Sequence, residues 1–383
     1  MSKKYYVLII SCTGGSGHIR AAEALHKTAQ LLNLPIQTEH YNILDFTPKF
    51  FKNLYAKTYI NLVRLTPNFW GYFYDKLELK NYSKNHLIKF FDKINYKKYL
   101  QTIIKLKPDA IICTHFLPYV SISEELRKEK FNVPIFAATT DFDIHTMWID
   151  PIVEKYFVYH EESKKRLVFK GITENKISIT GIPILPEFNK NLNKKSIRKK
   201  LSLEPDNFTI LVLSGGFGVG KISNIVKHIN NQLQKIERRK FNLLVVCGKN
   251  KKLMNKISKM DYPFNVKAKI FSFVENIHDL MDASNILISK SGGLTSSEAM
   301  AKGLPMLIID PIPGQEVQNA NLITQAGAGW KAINVKDLCY RLNQVIEKPE
   351  ILKYAVRATK NLARGDAAEN ILKEVVWYLK KSK

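Results

Sequence analysis

A glycine-rich turn near the start of the chain carries the residue type best suited to moving a proton. The apolar run Tyr5–Ile10 leads into Thr13-Gly14-Gly15-Ser16-Gly17-His18, after which apolar residues recur at helical spacing. Glycines let backbone N–H groups approach a ligand, and a helix N-terminus attracts an anion. We therefore predict that Ser16 and Gly17 contact a ligand. His18 is the predicted base, because imidazole takes a proton near neutral pH, with a merely structural place at the helix start as the alternative. Arg20 replaces the third glycine of a dinucleotide fingerprint, which argues against NAD.

A second glycine turn, Ser214-Gly215-Gly216-Phe217-Gly218-Val219-Gly220-Lys221, resembles the phosphate-binding loop of nucleotide triphosphatases. The next residue is Ile222, whereas that loop needs a hydroxyl there to bind magnesium. The pattern argues against such an enzyme but keeps the prediction of a phosphate cradle, formed by Ser214, Gly215, Gly216 and Gly218.

Two further loops carry groups suited to a sugar nucleotide. Lys290–Ala299 forms a glycine turn that enters a helix, where Glu298 could accept hydrogen bonds from a ribose diol, with a helix-dipole or capping role as the alternative. Asp310–Asn319 is stiffened by prolines and rich in amides and carboxylates, which suits sugar hydroxyls unless these groups only face solvent. We predict that nine residues of these loops contact the sugar nucleotide, which is the donor of the sugar: Ser291, Gly292, Gly293, Leu294, Thr295, Glu298, Gln315, Glu316 and Asn319.

An acidic triplet and two histidines follow other apolar runs. Asp141-Phe142-Asp143 matches the DxD pattern of metal-dependent sugar transferases, but such short patterns are common by chance. Because two glycine turns can already hold phosphates, we expect no metal and no cofactor. We interpret Asp141 as a carboxylate that supports His18 or contacts the molecule that accepts the sugar. His115 and His145 are more simply explained as structural residues.

These residues must be positioned by short β-branched runs that alternate with helical patterns, which indicates an α/β fold with parallel sheets. The predicted strands are Tyr5–Ile10, Pro35–Ile43, Asp109–Thr114, Pro134–Thr140, Lys155–Tyr159, Lys176–Thr180, Phe208–Leu213, Asn242–Cys247, Val266–Phe273, Asn285–Ser289 and Pro305–Ile309. Turn residues and charge in 181–200 place a domain boundary there. We predict domains at 1–188 and 189–365, followed by a segment at 366–383.

The composition is that of a globular protein with an unusual charge. The 383 residues are 45% hydrophobic and carry a formal net charge of +25, which favours an anionic partner unless it reflects a lysine-rich proteome. Four scattered cysteines, no signal-peptide core and no apolar stretch long enough to span a bilayer predict a reducing cytoplasm and only peripheral membrane contact. Phe46–Tyr99 mixes aromatics with lysines, which suits either a membrane interface or a helical cap.

Taken together, the motifs resemble one family along essentially the whole chain: the monogalactosyldiacylglycerol synthases and processive diacylglycerol glucosyltransferases, related to the transferase that adds N-acetylglucosamine to lipid I. The matching stretches are Gly14–His18 with Ala21 and Ala22, Thr140–Trp148, Lys176–Pro183, Ser214–Gly220, Cys247–Asn250, Phe273–Asn276, Ser289–Ala299 and Gly303–Glu316. Ser291 stands where many relatives have proline, and Phe217 interrupts the glycine run, but neither removes a functional group.

The resemblance implies a GT-B fold, in which two facing Rossmann-like domains border a cleft and a final helix returns to the N-terminal domain. The N-terminal domain would bind acceptor and membrane, with His145 and Trp148 on the acceptor side, and the C-terminal domain would bind a UDP-sugar. Asn250 would contact the donor, Phe273 and Val274 the uracil, Glu298 the ribose, and Gln315 and Glu316 the hexose.

The implied activity is inverting transfer of a hexose, glucose rather than galactose, from a UDP-sugar to diacylglycerol at the cytoplasmic face of an anionic membrane, without nucleic acid. The alternatives are transfer of N-acetylglucosamine to lipid I and a non-catalytic UDP-sugar sensor.

Overall fold

A computed structural model describes residues 4–13, 15–47, 98–122, 132–190, 192–214 and 222–382. These residues form two compact units. One runs to Pro186 and includes Pro313–Gln315 and Arg364–Lys383, and the other comprises Glu187–Ile312 and Glu316–Ala363. Most of the predicted interfacial segment Phe46–Tyr99 lies outside the described residues. The assignment of one domain to acceptor and the other to donor stays a prediction.

The first unit is built on a parallel sheet of six strands in the order β2-β1-β3-β4-β5-β6. The strands are β1 (Tyr5–Ser11), β2 (Ile36–Asn42), β3 (Ala110–Cys113), β4 (Ile135–Ala138), β5 (Val153–Val158) and β6 (Ile177–Ile179). Its helices are α1 (Ser16–Leu31), residues 98–106, α2 (Leu117–Val120), α3 (Glu161–Phe169) and α12 (Ala367–Lys381). The central strands are apolar throughout because helices cover both faces of a parallel sheet.

The last helix completes one face of this first sheet. Ile371, Leu372 and Val375 of α12 are fully buried against Val7 and Phe136 and their neighbours on the strands. Glu374 fixes the rotation of the helix, since its Oε2 accepts hydrogen bonds from Lys155 Nζ and Ser178 Oγ, both at 2.7 Å. The chain therefore closes the core of its first unit with residues from its far end.

The second unit repeats the architecture with strand order β12-β11-β10-β7-β8-β9, again entirely parallel. The strands are β7 (Phe208–Leu213), β8 (Phe241–Val246), β9 (Val266–Phe271), β10 (Ile286–Ser289), β11 (Met306–Ile308) and β12 (Gly329–Lys331). The helices are α4 (Lys194–Lys200), α5 (Ile222–Gln234), α6 (Lys251–Ser258), α7 (Ile277–Ala283), α8 (Gly293–Ala301), α9 (Gln315–Gln325), α10 (Val335–Glu347) and α11 (Pro349–Leu362).

All eleven predicted strands are confirmed, with ends that shift by one or two residues. The sequence missed β12, which has only three residues and begins at a glycine. In each sheet the strand order reverses beside the first strand, between β1 and β3 and between β7 and β10. Ligands of open parallel sheets bind beyond the carboxyl ends of the strands at such reversals. The loops after these four strands are therefore the candidate ligand-binding loops.

Leu372→Ala tests whether α12 is part of the first core. Removing a fully buried leucine should lower the free energy of unfolding by about 2–5 kcal/mol, as measured by denaturant unfolding. Lys373→Ala changes the next, exposed residue of the same helix and should cost about 0.5 kcal/mol or less. Equal effects of the two substitutions would show that α12 is not packed as described.

Candidate active site

The predicted base, His18, lies on the first turns of α1 at the strand-order reversal of the first sheet. Its Nδ1 atom is 2.9 Å from the carbonyl oxygen of Thr114, which follows β3, and 2.7 Å from Oγ1 of Thr140, which follows β4. Thr114 Oγ1 in turn donates to the His18 carbonyl at 2.8 Å. Three neighbouring strands thus fix one imidazole.

These contacts determine which ring nitrogen of His18 carries the proton. A carbonyl oxygen only accepts, so the contact with Thr114 favours the tautomer in which Nδ1 carries the proton, shared with Thr140 Oγ1, and Nε2 keeps the lone pair. Burial lowers the pKa of His18 to about 4, and the bond to Thr114 opposes that shift only partly. His18 is therefore neutral at physiological pH and can accept a proton at Nε2.

His115, which the sequence favoured as structural, lies against His18. The two ring centroids are 4.6 Å apart in an edge-on arrangement. His115 Nδ1 accepts a hydrogen bond from the Leu117 amide at 3.0 Å, and burial lowers the pKa of His115 well below its usual range. The His115 ring also stacks on Phe116 and lies 6.3 Å from Trp148. A wall of buried neutral rings therefore borders the base, and the predicted acceptor residue Trp148 belongs to it.

The acidic triplet and His145 take different positions. Thr140, the residue before Asp141, is the one that contacts His18, and a supporting role for Asp141 stays a prediction. Asp143 Oδ2 is 2.8 Å from Arg166 Nη1 of α3, although burial still raises the pKa of this carboxyl. His145 Nδ1 accepts from the Met147 amide at 3.1 Å, which is a local cap of a short turn.

The glycine turn before α1 leaves that helix without a side-chain cap. Its N-cap, Gly15, has φ 137°, a backbone conformation that favours glycine, and this residue offers no side chain to cap the helix. Ser16 is exposed and Gly17 is half-buried at this N-terminus. Both lie at the helix N-terminus, whose amide groups attract anions, and their contact with a donor stays a prediction.

In the second unit, the predicted nucleotide residues follow the adjacent strands β7, β8 and β9. Ser214 follows β7, and its Oγ donates to the Val246 carbonyl at 2.9 Å, while Gly215, Gly216 and Gly218 lie outside the described residues. Asn250 caps α6 through its Oδ1. Phe273 is 47% exposed, with Lys249 Nζ 5.8 Å from its ring centroid, and Val274 is half-buried beside it.

The turn after β10 ends at Gly292, the N-cap of α8, and no side chain caps this helix either. Gly293, Leu294 and Thr295 form its first turn, whose N–H groups have no partner within the helix. Glu298 lies one turn further on and is 95% buried. The residues predicted to bind the ribose and an anionic group of the donor therefore lie on one helix.

The loop after β11 brings α9 against this turn. Glu316 is 9% exposed, and its Oε2 accepts from the Ile312 amide at 2.7 Å, while Gln315 is the first residue of α9. Asp310 has φ 50°, a left-handed conformation that aspartate adopts more readily than most residues other than glycine. The predicted hexose-binding loop is thus tied to the start of α9 by the Glu316 carboxylate.

The part of the chain that the structure describes contains no group of three or more His, Cys, Asp or Glu side chains placed to hold a metal ion. None of its helices is both long enough and apolar enough to cross a membrane.

Comparison with known proteins identifies the family. A model described as monogalactosyldiacylglycerol (MGDG) synthase matches residues 18–184, and one described as glycosyltransferase family 28 C-terminal domain matches 209–374. A processive diacylglycerol beta-glucosyltransferase of Staphylococcus saprophyticus is 31% identical over 331 residues, which are 84% of this chain and 80% of that protein. The chain belongs to the family of monogalactosyldiacylglycerol synthases and processive diacylglycerol glucosyltransferases. It is a glycosyltransferase. The enzyme of the same printed name from Bacillus subtilis is 28% identical to it over 98% of this chain and 96% of that protein.

Solved structures agree on the fold of this glycosyltransferase. MurG of Acinetobacter baumannii aligns with a TM-score of 0.64 at 15% identity, over 99% of both chains. The calicheamicin glycosyltransferase CalG4 aligns with a TM-score of 0.65 at 12% identity, also over 99% of both chains. At such identities the likeness concerns the fold alone, and it confirms the predicted GT-B class with two Rossmann-like domains.

Thr140→Val in this glycosyltransferase tests the contact that holds His18. Losing one hydrogen bond to the imidazole should slow glycosyl transfer about three- to tenfold, measured as kcat. Thr139→Val is a matched control, because the Thr139 hydroxyl is equally buried but donates to the Phe157 carbonyl at 2.9 Å. If both variants lose the same rate, the Thr140 contact has no specific role.

Proposed function

We propose that this glycosyltransferase moves a hexose from a UDP-sugar to the free hydroxyl of diacylglycerol, with inversion at the anomeric carbon. Family membership supports the acceptor, since the relatives described above are named for diacylglycerol and match nearly the whole chain. Their names favour glucose over galactose as the transferred sugar. The family model of the N-terminal half, which is named for a galactolipid synthase, keeps galactose as the second donor to test.

The state of His18 is the observation that carries the proposed mechanism. The imidazole is neutral, its Nδ1 proton is directed at Thr114, and its Nε2 lone pair is left to receive a proton. In the proposed step, the acceptor oxygen forms a bond to the anomeric carbon while its proton passes to Nε2, and the bond from that carbon to UDP breaks. Asp141 is proposed to support this site from the end of β4.

Departure of UDP needs stabilisation of negative charge. We propose that backbone N–H groups of the glycine turn after β7 and of the first turn of α8 supply it, without a resident metal or other cofactor. Glu298 would bind the ribose, Phe273 and Val274 would lie at the uracil, and Gln315 and Glu316 would bind the hexose.

The acceptor places the enzyme at a membrane. We propose peripheral binding to the cytoplasmic face, where a formal net charge of +25 is attracted to anionic lipid. Attraction of this kind weakens as salt screens the charges.

Transfer from radiolabelled UDP-glucose or UDP-galactose to diacylglycerol in anionic vesicles tests the reaction. We expect a β-linked glycolipid from one of the two donors, formed equally well in EDTA. His18→Ala should lower the rate by about 10²–10⁴-fold, whereas His26→Ala, a second histidine of α1, should leave it unchanged. Product from lipid I in place of diacylglycerol would move the protein to the cell-wall branch, and UDP-sugar binding without any product would indicate a sensor.

The pH dependence of kcat/KM tests the protonation state of the base. His18 must be unprotonated to act, and its pKa is lowered to about 4, so the rate should stay level around neutrality and fall only as the pH approaches that value. Thermal stability is recorded at each pH, since a histidine buried in its neutral form makes unfolding easier once the pH drops below about 6.5. An inflection near 6.5 without loss of fold would contradict the described environment of His18.

A further inference from the structure

Two hydrogen bonds and one close approach join the start of α8 to the first turns of α9. Ser291 Oγ donates to the Glu316 carbonyl at 2.6 Å, and Asn319 Nδ2 donates to the Ser291 carbonyl at 2.9 Å. Glu316 Oε2 accepts from the Ile312 amide at 2.7 Å. On its other side, Glu316 Oε1 would lie 3.6 Å from a Cβ added to Gly292, so the carboxylate rests over the N-cap of α8.

The two residues that make the cross-links have no surface left for a ligand. Ser291 and Asn319 are both 0% exposed, whereas Glu316 keeps 9% of its surface. Buried polar groups without a partner are costly, so these side chains are held firmly by the bonds they make. The Ser291 hydroxyl bonds directly to Glu316, which is therefore the residue through which it can act on a bound sugar.

We propose that Ser291 is a positioning residue, which sets the Glu316 carboxylate for the hexose of the donor by fixing the backbone at the start of α9. The inference rests on the proposed function, in which α8 holds the nucleotide and Glu316 the hexose. Asn319 contributes to this positioning, because its side-chain amide donates a hydrogen bond to the Ser291 carbonyl and holds the Ser291 backbone in place.

This role predicts different effects on binding of the UDP part and of the hexose part of the donor. Loss of the Ser291 hydroxyl frees the Glu316 backbone, but it removes no group from the ribose or diphosphate sites. Binding of UDP alone should stay nearly constant, while binding of the UDP-hexose should weaken. A residue that only stabilised the fold would weaken both ligands together.

The experiment compares UDP with the UDP-hexose used by the wild type, by calorimetry and by steady-state kinetics, for the wild-type enzyme and Ser291→Ala. We expect the Kd of UDP to change less than about twofold, and the Kd and KM of the UDP-hexose to rise about tenfold, which corresponds to 1.4 kcal/mol. Ser291→Cys keeps a weak hydrogen-bond donor of similar shape, so its Kd and KM for the UDP-hexose should lie between those of the wild type and Ser291→Ala. This variant provides a readout if Ser291→Ala folds poorly.

Two comparisons make the test specific. Ser297→Ala removes another buried hydroxyl of α8, one that donates within the helix to the Gly293 carbonyl at 2.8 Å, and it should not discriminate between UDP and UDP-hexose. In a Glu316→Gln background, Ser291→Ala should cost little more, because a residue that acts through Glu316 has nothing further to position.

The outcomes separate this inference from the proposed function. Wild-type activity with equal losses of UDP and UDP-hexose in Ser291→Ala, or with no loss of either, overturns the positioning role alone. Full additivity with Glu316→Gln overturns it as well. A wild-type enzyme that binds no UDP-hexose rejects the proposed donor, and the inference falls with it.

Discussion

Two strands can run parallel in one sheet only if the chain crosses back over the sheet between them. This constraint places the carboxyl ends of all the strands of a sheet, and the N-termini of the helices that follow them, along one edge. Both sheets here are entirely parallel, so His18, Thr114 and Thr140 come together although the sequence separates them by up to 122 residues. The same constraint brings Ser214 and the turn at Gly292 to adjacent strands of the second sheet.

The environment of His18 makes the imidazole a weaker base but keeps it unprotonated. Lowering the pKa from 6.5 to about 4 weakens the ring as a base by about 3 kcal/mol, but the ring is then unprotonated around neutral pH. A weak base helps most when the proton becomes acidic during the reaction. If His18 is the base, as proposed above, the proton of the acceptor would move late, once the new glycosidic bond is well advanced.

Positions on strands were predictable because buried parallel strands are apolar runs and the glycine turns mark where they end. The positions of His18, Glu298 and the loop at Glu316 after their strands were predicted in this way, and their roles stay predictions. The contact with His115 could not be predicted, because it depends on which strands are neighbours, and periodicity does not give strand order. The orientation of Glu316 was also hidden, since it depends on the Ser291 hydroxyl and the Ile312 amide, neither of which has a pattern of its own.

The position of α12 in the chain order has a consequence for biosynthesis. Val7, Ile112, Phe136 and Phe157 lie on the face of the first sheet that α12 covers. During translation this face has to wait for the whole second unit to be made, which at about 5–20 residues per second takes about ten to forty seconds. The nascent first unit therefore exposes an apolar surface for about as long again as its own synthesis takes, and this surface is open to aggregation until the last helix has been made.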